Sequence, residues 1–185
     1  TQTTPITKGQ KIVMATHSFN VFVGPTRASE RIPGSVDSPG PLAALAAERG
    51  KAGHESLAVQ MIGGSTPMQH WSQGNGDDTK NIAKAALIAG GDKVDVFTMS
   101  PNAKMPEDGI DHFGDFVIAH NKNARIMVQN SWSAYDGHGS TPSVGGTGGG
   151  DFKNADRDNA TLAEVQGWLA SQNAKGGYLE RMRRG

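Results

Sequence analysis

The chain has 185 residues, enough for one domain with a sizeable core. Lysine plus arginine and aspartate plus glutamate each number 18, so the formal net charge is zero and gives no electrostatic case for nucleic acid or an anionic membrane surface. There is no cysteine, which excludes disulfides, thiol nucleophiles and cysteine-based zinc sites, and no apolar stretch approaches the length of a membrane span.

Residues 1–10, TQTTPITKGQ, are polar and Thr-rich. They read as a flexible lead-in, as expected of a secreted or periplasmic chain whose signal has been removed, with a single domain over 11–185. A short apolar run at 12–15 predicts a buried strand that stops abruptly at Thr16-His17-Ser18. Residues 20–40 are rich in Pro, Gly and Ser and predict a long loop. Residues 41–49 (PLAALAAER) carry Pro in the first turn and Gly50 just past the end, the start and stop signals of a helix. A second strand is expected at 57–62 (LAVQMI), ending at Gly63-Gly64-Ser65-Thr66, and a second helix at 81–89, ending at Gly90-Gly91.

The third strand is expected at 94–99 (VDVFTM), ending at Ser100-Pro101-Asn102. A helix over 108–121 places Ile110, Phe113, Phe116, Val117 and Ala119 on one face. The fourth strand, 125–129, ends at Asn130-Ser131-Trp132. Residues 137–150 (GHGSTPSVGGTGGG) read as a low-complexity loop. The last helix, 161–170, has Thr161 and Glu164 at capping-box spacing and Leu162, Val165, Trp168 and Leu169 on one face. Strands alternating with helices predict right-handed crossovers and a parallel sheet with helices on both faces. Ligands of such sheets bind beyond the carboxyl ends of the strands, where Ser18 sits.

Acyl transfer from an ester needs a nucleophile, donors for the developing oxyanion and a base. Ser18 supplies a hydroxyl at the first strand tip. The Gly64 amide at the second tip is a donor that a substrate can approach closely, and the Asn102 side chain at the third is another. Each of these also suits an ordinary turn. Their order at three successive tips is what points to chemistry.

That order resembles the SGNH (GDSL-type) hydrolases, in a divergent bacterial branch with His-Ser-Phe at the first block. The resemblance runs over about residues 11–132. THSF stands where the family has Gly-Asp-Ser, IGGST matches its second block through Gly64, and SPNA matches its third only at Asn102. It implies a three-layer α/β sandwich with a flavodoxin-like parallel sheet. It also implies an ester hydrolase, with carbohydrate O-acetyl groups as one substrate class, without a cofactor. Ser18 becomes the nucleophile, and Gly64 and Asn102 the oxyanion donors.

The family places its base after a fifth strand, as a histidine three residues beyond an aspartate. None of the six histidines here, His17, His54, His70, His112, His120 and His138, lies past residue 138, and no fifth apolar run follows. The final strand is therefore expected to be missing, the chain being incomplete, inactive or completed by a second polypeptide. The internal substitute is His138 as base with Asp136 beside it. His70 and Trp132 are expected to line the pocket, and Trp71 and Tyr135 also lie near the tips. Asp136-x-His138 and the acids of 151–158 do not form a recognisable metal-binding pattern. The alternative reading is a non-catalytic binding module of the same fold that holds a carbohydrate or related ligand.

Overall fold

The structure, a computed structural model, describes residues 6–17, 24, 40–101, 107–129, 159–177, 179–180 and 183. Four strands form one sheet: β1 (Lys11–Thr16), β2 (Glu55–Met61), β3 (Val96–Met99) and β4 (Arg125–Val128). All neighbours are parallel, in the order β2-β1-β3-β4. The adjacency of the third and fourth expected strands is as the sequence predicts. Their bounds differ by one or two residues, because Val94 and Asp95 lead into β3 as part of a turn that follows a short 3-10 segment, Gly91–Lys93. Among the described residues no strand pairs with the outer edge of β4.

The helices are α1 (Pro41–Glu48), α2 (Pro67–Trp71), α3 (Ile82–Gly90), α4 (Gly109–His120) and α5 (Leu162–Asn173). The starts of α2 and α3 are encoded locally. Thr66 accepts from the Gln69 amide while the Gln69 side chain accepts from the Thr66 amide, a capping box with Pro67 in the first turn. Asn81 caps α3 through Lys84 N–H at 3.1 Å. The same Asn81 side chain donates to the carbonyls of His70 and Gln73 at the end of α2, so one fully buried residue joins the two helices.

Alternation along the strands sends side chains to two faces. Val13 and Ala15 of β1 and Phe97 and Met99 of β3 pack with Ala83 and Leu87 of α3 and Phe113 and Val117 of α4. On the other face Ile12, Met14 and Val96 meet Leu42 of α1 and Val59. Each large side chain so buried contributes about 1.5–3 kcal/mol. On α4 the expected apolar face holds for Phe113 and Val117, with Ile110 and Phe116 partly buried, but Ala119 is exposed because it lies past the edge of the stripe.

Contacts divide the chain into two units, Thr1–Pro101 with Asp108–Gln129, and Asn102–Glu107 with Asn130–Gly185. The sheet and α1 to α4 belong to the first. In the second, α5 starts with the capping box expected at Thr161 and Glu164. It runs three residues beyond the expected end, and Arg183 donates to the Asn173 side chain near its close. The apolar stripe expected along it is not a buried one, since Leu162 and Leu169 are exposed.

Candidate functional site

The carboxyl ends of β2, β1 and β3 lie side by side, because β1 is flanked by the other two. Three polar connections tie these tips together. The Ile62 amide donates to the Thr16 carbonyl at 3.1 Å, joining the ends of β2 and β1. The Ser100 amide donates to the Ala15 carbonyl at 3.1 Å, joining β3 to β1. Beyond these, hydroxyls form a relay: Ser100 Oγ donates to Gln129 Oε1 at 2.9 Å, and Thr16 Oγ1 stands 3.1 Å from Ser100 Oγ. Thr16 Oγ1 also lies 3.3 Å from the His17 carbonyl, so its one proton has two acceptors within reach. The relay spans β1, β3 and β4, and Thr16 and Ser100 are fully buried.

His17 follows β1 and is buried, with Nε2 3.5 Å from the Pro101 carbonyl. Burial holds its pKa below the ordinary histidine value, and the Pro101 contact offsets part of that. The two residues after strand ends, His17 and Pro101, therefore pack against each other, one position before Ser18 and Asn102 respectively.

At the β2 tip the chain turns through Ile62-Gly63-Gly64-Ser65. Ser65 N–H donates to the Ile62 carbonyl at 3.3 Å, and Ser65 Oγ donates to the same oxygen at 2.8 Å. Gly64 occupies the third position with φ 61, a region that favours glycine. Behind the turn stands His70, fully buried, with Nε2 2.7 Å from Ser65 Oγ and Nδ1 3.2 Å from Gln60 Nε2.

A serine hydroxyl 2.7 Å from an imidazole is the first geometry a hydrolase asks for. The wiring here excludes that use. Ala83 N–H donates to Gln60 Oε1 at 2.8 Å, which fixes the Gln60 amide with its NH2 toward His70. The NH2 donates to the His70 carbonyl at 3.0 Å and to Nδ1, so Nδ1 is the unprotonated nitrogen. The proton then sits on Nε2 and points at Ser65 Oγ, whose own proton goes to Ile62. A ring that donates to a serine cannot take its proton. Burial also pushes the His70 pKa down to about 4; a hydrogen bond to the Thr16 backbone opposes this and nearby His17 adds to it. His70 is thus a neutral structural histidine behind the β2 tip, and the expectation that it lines an open pocket is corrected: it is fully buried.

Trp71 is likewise occupied. Lys84 Nζ lies 3.4 Å above its ring centroid and 2.8 Å from Asp78 Oδ1. The His112 ring stacks on Trp71 at 5.2 Å, and Phe113 and Phe116 meet it edge-on. These contacts make it the centre of the packing between α2, α3 and α4. On α4, His112 is occupied by its stacking on Trp71 and His120 Nδ1 lies 2.8 Å from the Phe116 carbonyl.

Of the candidate residues, Gly64 and His70 are described. Ser18, Asn102, Asp136, His138 and Trp132 lie outside the described residues, as does Tyr135. Gln60, Ser65, Asn81 and Lys84 were not expected to matter. One signal was present for Gln60: a glutamine inside a run read as a buried strand must find partners for both ends of its amide. A pocket of about 260 Å³ near the amino ends of β1 and β2, lined by Lys11, Leu57, Ala86, Ala89, Gly90 and Lys93, contains none of the candidate residues. Among the described residues no three His, Cys, Asp or Glu side chains are grouped to hold a metal ion, and no helix is long and apolar enough to cross a membrane. No protein-family profile, curated protein or solved structure matches the chain.

Proposed function

We propose that the protein is a serine ester hydrolase of SGNH type, acting at the carboxyl end of a flavodoxin-like parallel sheet. The observation that carries the reading is the strand order β2-β1-β3-β4. Its switch of direction falls between β1 and β3, the crevice where sheets of this class bind ligands. Thr16-His17 and Ser100-Pro101 leave the sheet there and interlock through Thr16 Oγ1 with Ser100 and His17 with Pro101. Ser18 and Asn102 come next in the sequence on either side, and Gly64 belongs to the turn beyond the adjacent tip.

In this reading the Ser18 hydroxyl attacks the ester carbonyl while a base takes its proton. The oxyanion accepts hydrogen bonds from the Gly64 amide and the Asn102 side chain. Collapse expels the alcohol, and water then releases the acid and restores Ser18. The base is His138, oriented by Asp136, or a histidine on a second polypeptide that completes the sheet beyond β4. His70 is not the base, since its free lone pair is taken by Gln60. The substrate is a small or carbohydrate-borne ester, with O-acetyl sugars as the leading class and Trp132 as a wall of the pocket. No cofactor enters the reaction, and the setting is secreted or periplasmic.

The test is turnover of a chromogenic acetyl ester by the purified chain and by Ser18→Ala. Loss of turnover in a folded variant agrees with the proposal. Equal turnover places the nucleophile elsewhere. No turnover by the parent chain, with retained binding of an acetylated sugar, returns the binding-module reading.

A further inference from the structure

We infer that His70, acting through Ser65, positions the Gly63-Gly64 turn for catalysis and ties it to the tip that carries the nucleophile. This inference rests on the reading of the Gly64 amide as an oxyanion donor.

A turn built on two glycines has little conformational preference of its own. Its closing backbone bond is long, 3.3 Å from Ser65 N to the Ile62 carbonyl. The shorter contact is the Ser65 hydroxyl to the same oxygen at 2.8 Å, so the side chain secures the turn. That hydroxyl keeps its direction because His70 Nε2 stands at its other side at 2.7 Å. Without the ring, Ser65 is free to rotate and the turn loses its anchor.

The anchor is itself rigid. The His70 carbonyl accepts from both Gln60 and Asn81, and its ring nitrogen Nδ1 faces Gln60. Gln60 is a β2 residue, pinned by Ala83 N–H at the start of α3. The turn is therefore referenced to the sheet through side chains and not only through its own backbone. The Thr16 carbonyl, two residues before Ser18, receives the Ile62 amide at 3.1 Å, and the Ile62 carbonyl is the oxygen that Ser65 holds. The buried imidazole thus reaches the β1 tip through Ser65 and Ile62. Oxyanion donors act only when held to a fraction of an ångström, so such a brace belongs under a turn that carries one.

The test uses the full chain and three substitutions, Ser65→Ala, His70→Ala and His70→Gln. Glutamine places a side-chain amide nitrogen near the reach of Nε2 and keeps the donation to Ser65. Two readouts are taken: amide hydrogen exchange at Gly64 and Ser65, and the kcat and KM of ester turnover. With global stability checked by urea, Ser65→Ala and His70→Ala are expected to speed exchange at the turn by about tenfold or more. They are also expected to lower kcat by about 10–100-fold with KM within about twofold, since an oxyanion donor acts in the transition state. His70→Gln recovers most of both. Unchanged exchange at the turn overturns the inference, and so does faster exchange with kcat intact. Absence of turnover in the parent chain overturns the hydrolase reading alone, and the exchange data still decide whether His70 braces the turn.

Discussion

His70 makes stability depend on pH in a way that can be worked out from its surroundings. Its ring is fully buried, its Nδ1 lone pair is filled by Gln60, and burial holds its pKa at about 4 against an ordinary 6.5. Above pH 6.5 the ring is neutral in both folded and unfolded chains and adds no pH dependence. As pH falls from 6.5 toward 4, the unfolded chain takes up a proton that the folded chain refuses, so stability is lost on acidification. The limiting slope is about 1.4 kcal/mol per pH unit, and the loss between pH 7.5 and 4.5 is about 2–3 kcal/mol. With a urea slope of about 2 kcal/mol/M, this one residue lowers the unfolding midpoint by about 1 M over that interval. The assay is urea unfolding of the parent chain and His70→Gln at both pH values. The carboxylates are common to both proteins and cancel in the comparison, and because His17 is coupled to His70 the same pair is also measured in a His17→Gln background. The variant starts lower at pH 7.5 but falls by about 2–3 kcal/mol less. Parallel falls in the two proteins would refute the neutral, buried assignment of His70.

Phe113 fills the core between the sheet and α4, and Phe113→Ala is expected to cost about 3–5 kcal/mol in chemical denaturation. Gly109 opens α4 directly against the backbone of Pro67 and Met68, so Gly109→Ala forces α2 and α4 apart and costs about 1–3 kcal/mol by the same measurement. Lys84→Met keeps the aliphatic stem on α3 but removes the ammonium from Trp71 and Asp78; a loss of about 1–2 kcal/mol and a changed tryptophan emission are expected. Thr16→Val keeps the shape at the β1 tip and removes the hydroxyl that meets Ser100 and the His17 carbonyl; thermal unfolding should report a cost of about 1 kcal/mol.

The four strands and the helices α1, α3, α4 and α5 were legible because their signals are local, whereas the five-residue α2 is too short to show a periodic pattern and was not expected. Apolar runs, Pro41 at a helix start, Gly50 past its end and the Thr161–Glu164 spacing each state their element without help from the rest of the chain. One reading failed for a physical reason, that a side chain's environment is set by residues distant in sequence. His70 looked like a pocket residue from its place after a strand tip, but Gln60 and Asn81, on β2 and at the start of α3, surround it. The Ser65–His70 pair shows the limit of motif reasoning in the other direction. Distance alone would nominate it as a nucleophile and its base, and only the Ala83–Gln60–His70 donor sequence reveals that the proton points the wrong way.

The central claim is that Ser18, not Ser65, is the nucleophile. The most direct measurement is intact-mass and peptide analysis after treatment with a fluorophosphonate, which forms a stable bond only to an activated serine. The account predicts a single adduct on Ser18, absent in Ser18→Ala and retained in Ser65→Ala. An adduct on Ser65, or none on Ser18 in a folded protein that turns over ester, would contradict it.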